Sequence, residues 1–267
     1  MRTTTSTGHR FEGRRFEGHR FEDRVALVTG AGSGIGRAIA LRLAAEGARV
    51  YGHDVAAETL AETVALVEGA GGTMGSRVGD ISRRDECRAL VDDCVAAFGR
   101  LDVAGNVAGI ARAEHFADVS EADYRRMMGV NVDGPTFVAQ AAIPHLLATG
   151  GTLINIASNA GLMGQAYTVV YCMTKGAIVQ LTRALAMEYV KSDIRINAIA
   201  PAGVLTSLTT GFTIPPDVDG SLMVPYSGYR GMGSPEDIAG LFAWMASDEA
   251  ANMHGSIVSS DRGVTAG

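Results

Sequence analysis

The chain has 267 residues, of which 47% are apolar and 19% charged, and its formal net charge is −6. This length allows one large α/β domain and is short for two. The acidic balance argues against nucleic-acid binding, and no apolar run suggests a signal peptide or a membrane span. The three cysteines form no CxxC pair or Cys/His cluster, so we expect no disulfide framework, no bound metal and a reducing, cytoplasmic environment.

A short repeat lies near the N-terminus, where HRFEG, RRFEG and HRFED follow one another over residues 9–23. The repeat is too short for a solenoid. A glutamate follows each Arg-Phe pair and dilutes the positive charge that an arm binding membranes or nucleic acid would carry. We therefore interpret residues 1–22 as a flexible extension, from which residues 1–20 can be removed, and residues 23–267 as a single domain.

Beyond the repeat, segments typical of strands and helices alternate. Apolar runs predict strands over 24–30, 48–54, 73–79, 101–109, 151–158, 193–201 and 255–260. Helical spacing predicts helices over 34–47, 56–68, 82–98, 118–148, 167–190 and 235–247, with a Gly- and Pro-rich loop over 202–233. This alternation is typical of a doubly wound parallel sheet, the Rossmann fold, with helices on both faces. Such sheets bind ligands at the carboxyl ends of their strands.

The segment TGAGSGIG (29–36) joins the first strand to the first helix. Its glycines allow a tight turn and a close approach to a pyrophosphate, which the helix N-terminus attracts. The alternative is a glycine turn that binds nothing. The TGxxxGxG spacing resembles the short-chain dehydrogenase/reductase family over about residues 23–263. The resemblance implies a dinucleotide cofactor, contacted here by Gly30, Ser33, Gly34, Ile35 and Gly36.

Asp54 ends the second predicted strand, where a carboxylate can accept hydrogen bonds from both hydroxyls of an adenosine ribose. A carboxylate there repels a 2′-phosphate, so Asp54 favours NAD over NADP. Its alternative role is to cap the helix near residue 56, and the two roles are compatible. We expect His53 to form only a wall of the adenine site. By family resemblance, Asp80 and Ile81 also contact the adenine.

The segment GNVAG (105–109) resembles the family's NNAG turn. Asn106 matches the first asparagine and is expected to bind the cofactor. Val107 replaces the second asparagine, and Gly105 replaces a residue that is usually apolar. We therefore expect fewer hydrogen bonds between this strand and its neighbours.

Tyr171 and Lys175 stand at i and i+4 of a predicted helix and so share one face. A free phenol has a pKa of about 10, and a nearby ammonium group lowers it. Lysine suits this role better than arginine because it is a compact point charge. The resemblance implies that Tyr171 transfers the proton and that Lys175 also binds the nicotinamide ribose.

Two further residues match the family's catalytic positions. Ser158 ends the fifth strand and is expected to hydrogen-bond the substrate oxygen. Asn131 matches a residue whose backbone carbonyl anchors a water that links Lys175 to solvent. Taken alone, Ser158 could be a strand-end cap and Asn131 a helix bend. After the sixth strand, NAIAPAGVLT (197–206) resembles the family's NxxxPGxxxT. This implies nicotinamide contacts from Pro201, Val204 and Thr206.

The sequence therefore predicts an NAD(H)-dependent oxidoreductase acting on a secondary alcohol or ketone. The apolar residues of the 202–233 loop favour an apolar substrate; they are Leu205, Leu208, Phe212, Ile214, Leu222, Met223, Val224 and Tyr226. The alternatives are a 3-oxoacyl carrier-protein reductase and a non-catalytic dinucleotide sensor. Wide apolar arcs on the helices over 118–148 and 167–190 predict contacts between subunits. Members of the family that the chain resembles commonly form dimers and tetramers through these helices, which suggests a homotetramer.

Overall fold

The computed structural model describes residues 19–211, 214–228 and 230–266. The first two copies of the repeat and Phe212 therefore lie outside the described residues. Within these ranges, seven strands form one parallel sheet in the order β3-β2-β1-β4-β5-β6-β7. The strands are β1 Val25–Thr29, β2 Arg49–Asp54, β3 Thr73–Val78, β4 Val103–Asn106, β5 Thr152–Ile156, β6 Arg195–Pro201 and β7 Ile257–Ser260. The predicted fold class is confirmed.

Helices cover both faces of this sheet. They are α1 Gly34–Ala45, α2 Ala57–Gly69, α3 Arg84–Phe98, α4 Glu121–Met128, α5 Gly134–Thr149, α6 Val169–Glu188, α7 Ser207–Thr210, α8 Val224–Ser227 and α9 Pro235–Ala246. Helices α1, α2 and α9 bury their apolar side chains on one face. Helices α3, α5 and α6 do so on the other. The strands are buried on both sides, which explains their continuous apolar runs. Among the described helices, none is both long and apolar enough to span a membrane.

The helix predicted over 118–148 is not continuous. Helix α4 begins after Ser120, whose hydroxyl accepts a hydrogen bond from Asp123 N. A π-helical turn over Gly129–Asp133 then separates α4 from α5. Proline has no N–H, so Pro135 cannot donate the usual i+4 hydrogen bond to the carbonyl of Asn131. Pro135 therefore favours an irregular turn at this point, although the apolar periodicity of the sequence continues through it.

The third copy of the repeat packs on the domain. Phe21 is fully buried in the core. The Arg20 guanidinium holds Glu46 through two hydrogen bonds, from Nε at 2.6 Å and Nη2 at 2.8 Å. Phe21 N also donates to Glu46 O at 3.0 Å. The boundary predicted at residue 22 therefore shifts towards the N-terminus, because Arg20 and Phe21 belong to the fold.

Phe21 is expected to contribute strongly to stability. Phe21→Ala would leave a cavity in a fully buried site, and such changes typically cost about 3–5 kcal/mol in the free energy of unfolding. Urea unfolding of the full-length protein would measure this cost. Removal of residues 2–18, which spares Arg20 and Phe21, is the control and should leave the midpoint nearly unchanged. Equal midpoints for Phe21→Ala and the wild type would contradict the role given to this ring.

Candidate active site

A cleft of about 600 Å³ opens at the carboxyl ends of β1, β2 and β4. A smaller pocket of about 110 Å³ lies beside it, against β5 and α6. Five residues line both spaces: Ile35, Val107, Gly109, Thr206 and Leu208. The two spaces are therefore parts of one continuous site. Among the described residues, no cluster of three or more His, Cys, Asp or Glu side chains could hold a metal ion.

The glycine loop lines the larger cleft through five residues, Gly30, Ser33, Gly34, Ile35 and Gly36. Gly30 has a φ of +69°, which favours glycine. A Cβ on Gly36 would lie only 2.0 Å from the carbonyl oxygen of Gly30. Glycine is therefore needed to bring the turn against the first turn of α1, whose residues Gly34, Ile35 and Gly36 line the cleft.

Asp54 stands at the edge of the same cleft. Its carboxylate accepts hydrogen bonds from Gly32 N at 2.9 Å and from Ala56 N at 3.0 Å. The carboxylate thus braces the glycine loop and the chain entering α2. Each oxygen has a second lone pair for a ligand. The two roles predicted for Asp54 are compatible in this geometry.

Asp80 and Ile81 also line the cleft, beyond Asp54. Hydrogen bonds from Ser82, first of all from its backbone N–H, hold the pKa of the Asp80 carboxyl below its ordinary value. Asp80 is therefore ionised at neutral pH. Ile81 is 5% exposed and its side chain packs into the core. Contact with a ligand would therefore involve its main-chain groups.

Asn106 lies beneath the cleft and not among its lining residues, which differs from the predicted cofactor contact. Its Nδ2 donates to Pro135 O at 3.0 Å and to Asn155 Oδ1 at 2.9 Å. The expectation of fewer hydrogen bonds around β4 meets mixed observations, since the buried Asn106 Oδ1 has no hydrogen-bond partner among the described residues, whereas the chain after β4 is bonded to β1. Thr29 Oγ1 accepts from Val107 N and Ala108 N, at 2.9 and 3.1 Å.

Gly105 also has a packing role. A Cβ on Gly105 would lie 3.0 Å from the ring of Phe242. The missing side chain therefore makes room for a fully buried aromatic ring of α9, and β4 keeps its place in the sheet without the usual apolar residue.

Ser158, Tyr171 and Lys175 line the smaller pocket together. Lys175 Nζ lies over the Tyr171 ring, 5.7 Å from its centroid, and donates to Ile156 O at 2.9 Å. Ser158 follows β5, and its Oγ accepts a hydrogen bond from Ala160 N at 3.1 Å. The sheet thus supplies the serine and one face of α6 supplies the tyrosine and the lysine.

The pKa values of the pair differ from the simple expectation. Burial raises the pKa of Tyr171, and a hydrogen bond with Ser158 partly offsets this. Burial also lowers the pKa of Lys175 to about 8. The pKa of the Tyr171 phenol is thus raised overall, opposite to the lowering expected from the sequence, and Lys175 Nζ donates to Ile156 O. Ser158 is the group that favours the phenolate.

The buried charge of Lys175 is expected to reduce the stability of the ligand-free protein. A pKa lowered from 10.5 to about 8 corresponds to about 3 kcal/mol while the lysine is charged. Lys175→Met also loses one hydrogen bond, so we expect a net gain of about 2 kcal/mol at pH 7. Between pH 8 and 10.5 the unfolded chain keeps a proton that the folded chain has lost. The free energy of unfolding of the wild type therefore increases as the pH rises from 8 to 10.5. The extra stability of Lys175→Met over the wild type decreases over the same range.

Urea unfolding of both proteins between pH 7 and 10 would measure this difference. The other lysine, Lys191, is exposed, so Lys191→Met serves as the control and should show no such pH-dependent gain. A Lys175→Met variant less stable than the wild type at pH 7 would contradict the buried-charge argument.

Asn131 lies in the π-helical turn, is 1% exposed and does not line either space. Its side chain accepts from Ile110 N at 2.9 Å and donates to Ile110 O at 2.8 Å. It also donates to Thr174 Oγ1 on α6 at 3.2 Å. Asn131 thus ties the chain after β4 to the helix that carries Tyr171. The sequence signal for this irregular turn is Pro135, four residues after Asn131.

Pro201 and Val204 line the smaller pocket, and Thr206 lines both spaces. A Cβ on Gly34 would lie 3.1 Å from Thr206 Cγ2, so this threonine packs against the glycine loop. Val204 pairs with Gly233 in a short parallel bridge that closes the base of the 202–233 segment. The three predicted residues therefore stand together between the glycine loop and Tyr171.

Sequence reasoning missed Tyr167, whose φ of +63° is unusual for a bulky residue. Its Oη accepts a hydrogen bond from Asp219 N at 2.8 Å. Tyr226 Oη donates to Ala166 O at 2.9 Å. The 202–233 segment is thus fastened to the chain just before α6, and no motif signals these long-range contacts.

Comparisons with known proteins agree with this geometry. A family model described as enoyl-(acyl carrier protein) reductase matches residues 30–265. The meso-2,3-butanediol dehydrogenase of Serratia marcescens is 36% identical over 244 residues, which cover 91% of this chain and 95% of that protein. The 3-oxoacyl-[acyl-carrier-protein] reductase of Thermotoga maritima is 31% identical over 242 residues, which cover 90% and 97%.

A solved structure has the same fold. The crystal structure of a short-chain dehydrogenase from Mycobacterium paratuberculosis bound to NAD superimposes with a TM-score of 0.86 at 34% identity, covering 93% of this chain and all of that one. The glycine loop, the Tyr171–Lys175 pair and Ser158 occupy one site on a fold shared with these relatives. The chain therefore belongs to the short-chain dehydrogenase/reductase family of oxidoreductases.

Proposed function

We propose that the protein is an NAD(H)-dependent oxidoreductase that interconverts a secondary alcohol and a ketone. The observation that carries this proposal is the joint placement of Ser158, Tyr171 and Lys175 in a pocket continuous with the large cleft. The cleft suits a dinucleotide, because the absent side chain of Gly36 lets the loop backbone at Gly30 pack directly on the first turn of α1, and both line the cleft. The structure of the NAD-bound Mycobacterium paratuberculosis relative supports the same cofactor.

Each part of the cleft has a proposed role. The glycine loop and the first turn of α1 would bind the pyrophosphate, and Asp54 the adenosine ribose. Pro201, Val204 and Thr206 would bind the nicotinamide, whose C4 supplies or accepts the hydride when the cofactor is bound. Lys175 would bind the nicotinamide ribose.

Side chains of the protein would transfer the proton of the substrate hydroxyl. Ser158 holds the substrate oxygen and stabilises the charge that develops on it. Tyr171, which hydrogen-bonds Ser158, donates or removes the hydroxyl proton. The carbonyl of Asn131, which Pro135 cannot cap, anchors the route by which Lys175 passes the proton to solvent.

An apolar substrate is supported by the apolar side chains of the 202–233 segment. Leu208 lines the cleft, and Leu205, Ile214, Leu222 and Val224 of the same segment are 47–61% exposed. Exposed apolar side chains in one segment are typical of a binding surface. A 3-oxoacyl carrier-protein reductase is the second candidate because of the Thermotoga maritima relative. Asp54 counts against it, since Asp54 disfavours the NADPH that such reductases usually take.

Absorbance at 340 nm tests the proposal with a panel of secondary alcohols and NAD, and of the matching ketones and NADH. We expect turnover with apolar members of the panel and a clear preference for NAD(H). Turnover of a 3-oxoacyl carrier-protein substrate with NADPH alone would favour the second candidate. Tight NADH binding without turnover of any substrate would instead indicate a dinucleotide sensor.

We further propose that the protein assembles as a homotetramer. On the outer side of α6, Met173 is 49% and Met187 72% exposed, and Leu147 of α5 is 40% exposed. A two-fold axis between these helices would bury such side chains. Light scattering at micromolar concentration should give four times the chain mass of 27.8 kDa. A mass equal to one chain would contradict assembly, and twice that mass would limit it to one interface.

A further inference from the structure

Asn159 is a buried amide next to Ser158, and only one end of this amide is used. It lies in the short turn that follows β5 and is 4% exposed. Its Oδ1 accepts hydrogen bonds from Ser158 Oγ at 3.2 Å and from Gln165 Nε2 at 3.1 Å. Its Nδ2 is buried and has no hydrogen-bond partner within residues 19–211, 214–228 and 230–266. An unpaired buried donor is costly to a fold and calls for an explanation.

Asn197 shows how a structural asparagine is used in this protein. Its Nδ2 donates to Met253 O at 2.9 Å, and its Oδ1 accepts from Ser256 N at 3.0 Å. Both ends of that amide join β6 to the chain before β7. Asn159 uses only its acceptor, and one of the two groups that donate to it is the hydroxyl of Ser158. Its hydrogen bonds therefore bear on the chemistry of the pocket as well as on packing.

The single proton of Ser158 can serve only one acceptor at a time, whereas its oxygen can accept through two lone pairs. In the ligand-free protein Ser158 Oγ donates to Asn159 Oδ1, and Pro201 O is the more distant acceptor at 3.5 Å. One lone pair accepts from Ala160 N at 3.1 Å. The other can accept from Tyr171, but no proton remains for a substrate oxygen. The proposed reaction needs a donor at that point, because negative charge develops on the substrate oxygen.

A half-turn of the Asn159 amide about its Cβ–Cγ bond would supply that donor. The turn exchanges Nδ2 with Oδ1, so that Ser158 Oγ accepts from both Nδ2 and Ala160 N and keeps its own proton for the substrate. The amide of Gln165, which is half-buried, can turn in the same way and accept through Oε1. Either orientation leaves one buried atom of Asn159 unpaired. Neither is therefore strongly preferred, and a bound substrate can select between them.

The chain around Asn159 holds this amide close to the start of α6. Gln165 O accepts from Thr168 Oγ1 at 3.2 Å, one residue before the helix begins. A Cβ on Gly161 would lie 2.6 Å from Lys175 O, so the turn after β5 packs directly on the helix backbone. The amide is thus fixed relative to the helix that carries the proton-transfer groups.

We propose that Asn159 is a positioning residue that directs the hydroxyl proton of Ser158. It holds this proton in the ligand-free protein and releases it to the substrate oxygen when the amide turns. The inference rests on the proposed function, because it assigns Ser158 the role of hydrogen-bond donor to that oxygen.

Steady-state kinetics of ketone reduction at pH 8 with two substitutions tests the proposal. Asn159→Asp keeps the size and the acceptor but has no donor while it is ionised, so the proton of Ser158 stays held. We expect kcat to fall by about 10–10²-fold, the value of a hydrogen bond to a charged group, with NADH affinity unchanged. Asn159→Leu does not hold the proton, so kcat should fall by only about twofold to tenfold. A purely structural role predicts the opposite order, because Asn159→Asp keeps both hydrogen bonds that the amide accepts.

The pH dependence gives a second readout that packing alone would not move. A protonated carboxyl can donate to Ser158 Oγ as the turned amide does, and burial raises the pKa of a carboxyl. The kcat of Asn159→Asp relative to the wild type should therefore rise as the pH falls from 9 to 5. Asn252→Asp adds the same charge at an exposed position outside both spaces, and this control should follow the wild type. The titratable groups around Ser158 and Gln165 are common to all these proteins; among the described residues they are Tyr167, Tyr171, Cys172, Lys175 and Tyr226.

Three outcomes would overturn the proposal: an unchanged kcat in Asn159→Leu, a larger loss in Asn159→Leu than in Asn159→Asp, or a ratio that does not change with pH. Turnover by the wild type would in each case leave the proposed function standing. Titration with NADH shows whether each variant keeps an intact cleft. If Asn159→Asp does not fold, the kcat of Asn159→Leu decides alone. A wild type that reduces no ketone of the panel would overturn both the proposed function and this inference.

Discussion

Replacement of Tyr171 by phenylalanine is expected to reduce turnover by about 10²–10⁴-fold, the usual contribution of a general acid–base group. The ring would remain under Lys175 Nζ, and only the hydroxyl that hydrogen-bonds Ser158 would be lost. NADH binding should therefore be nearly unchanged. A fall in kcat with an unchanged dissociation constant for NADH separates a lost proton transfer from a damaged site.

Tyr189 provides the matched control, because it stands at the C-terminal end of the same helix. Tyr189→Phe removes a hydroxyl from α6 outside the pocket and should leave turnover intact. Near-normal turnover in Tyr171→Phe would contradict the proposed mechanism. Equal losses in the two variants would point to an effect on the helix and not on the chemistry.

Asp54 is expected to set the preference for NAD over NADP. Two unit charges about 4 Å apart near a protein surface repel by about 4 kcal/mol, which corresponds to about 10³-fold in affinity. Removing the carboxylate charge should therefore remove most of the discrimination against the 2′-phosphate. We expect the ratio of kcat/KM values for NAD and NADP to fall by about 10²–10³-fold.

The choice of substitution matters because the same carboxylate braces the protein. Asp54→Ala would also delete the hydrogen bonds from Gly32 N and Ala56 N. Asp54→Asn removes the charge and keeps an oxygen that accepts one of them, so comparison of the two variants separates charge from bracing. A wild type with the higher kcat/KM for NADP would contradict the assignment at once.

The fold and the spacing of several candidate site residues follow from local features of the sequence. Strands buried on both faces require continuous apolar runs, and the helices between them keep an apolar period of 3.6 residues. Both patterns are visible in short stretches of the sequence, so the order of strands and helices can be predicted from it. The turn of Gly30 and the close approach at Gly36 demand glycine on steric grounds. The spacing of Tyr171 and Lys175 places both on one helix face whatever surrounds that face.

The contacts that these residues make depend on the packing of the folded molecule. Asn106 donates to Pro135 and Asn155, and these partners come from distant segments that no short motif specifies. Phe21 proved to be core because α1, α9 and the sheet leave a space for it. The pKa of Lys175 depends on its burial, and burial is a property of the packed molecule. Sterics and periodicity act along the chain and can be read from it, whereas desolvation and long-range hydrogen bonds exist only once the chain has folded.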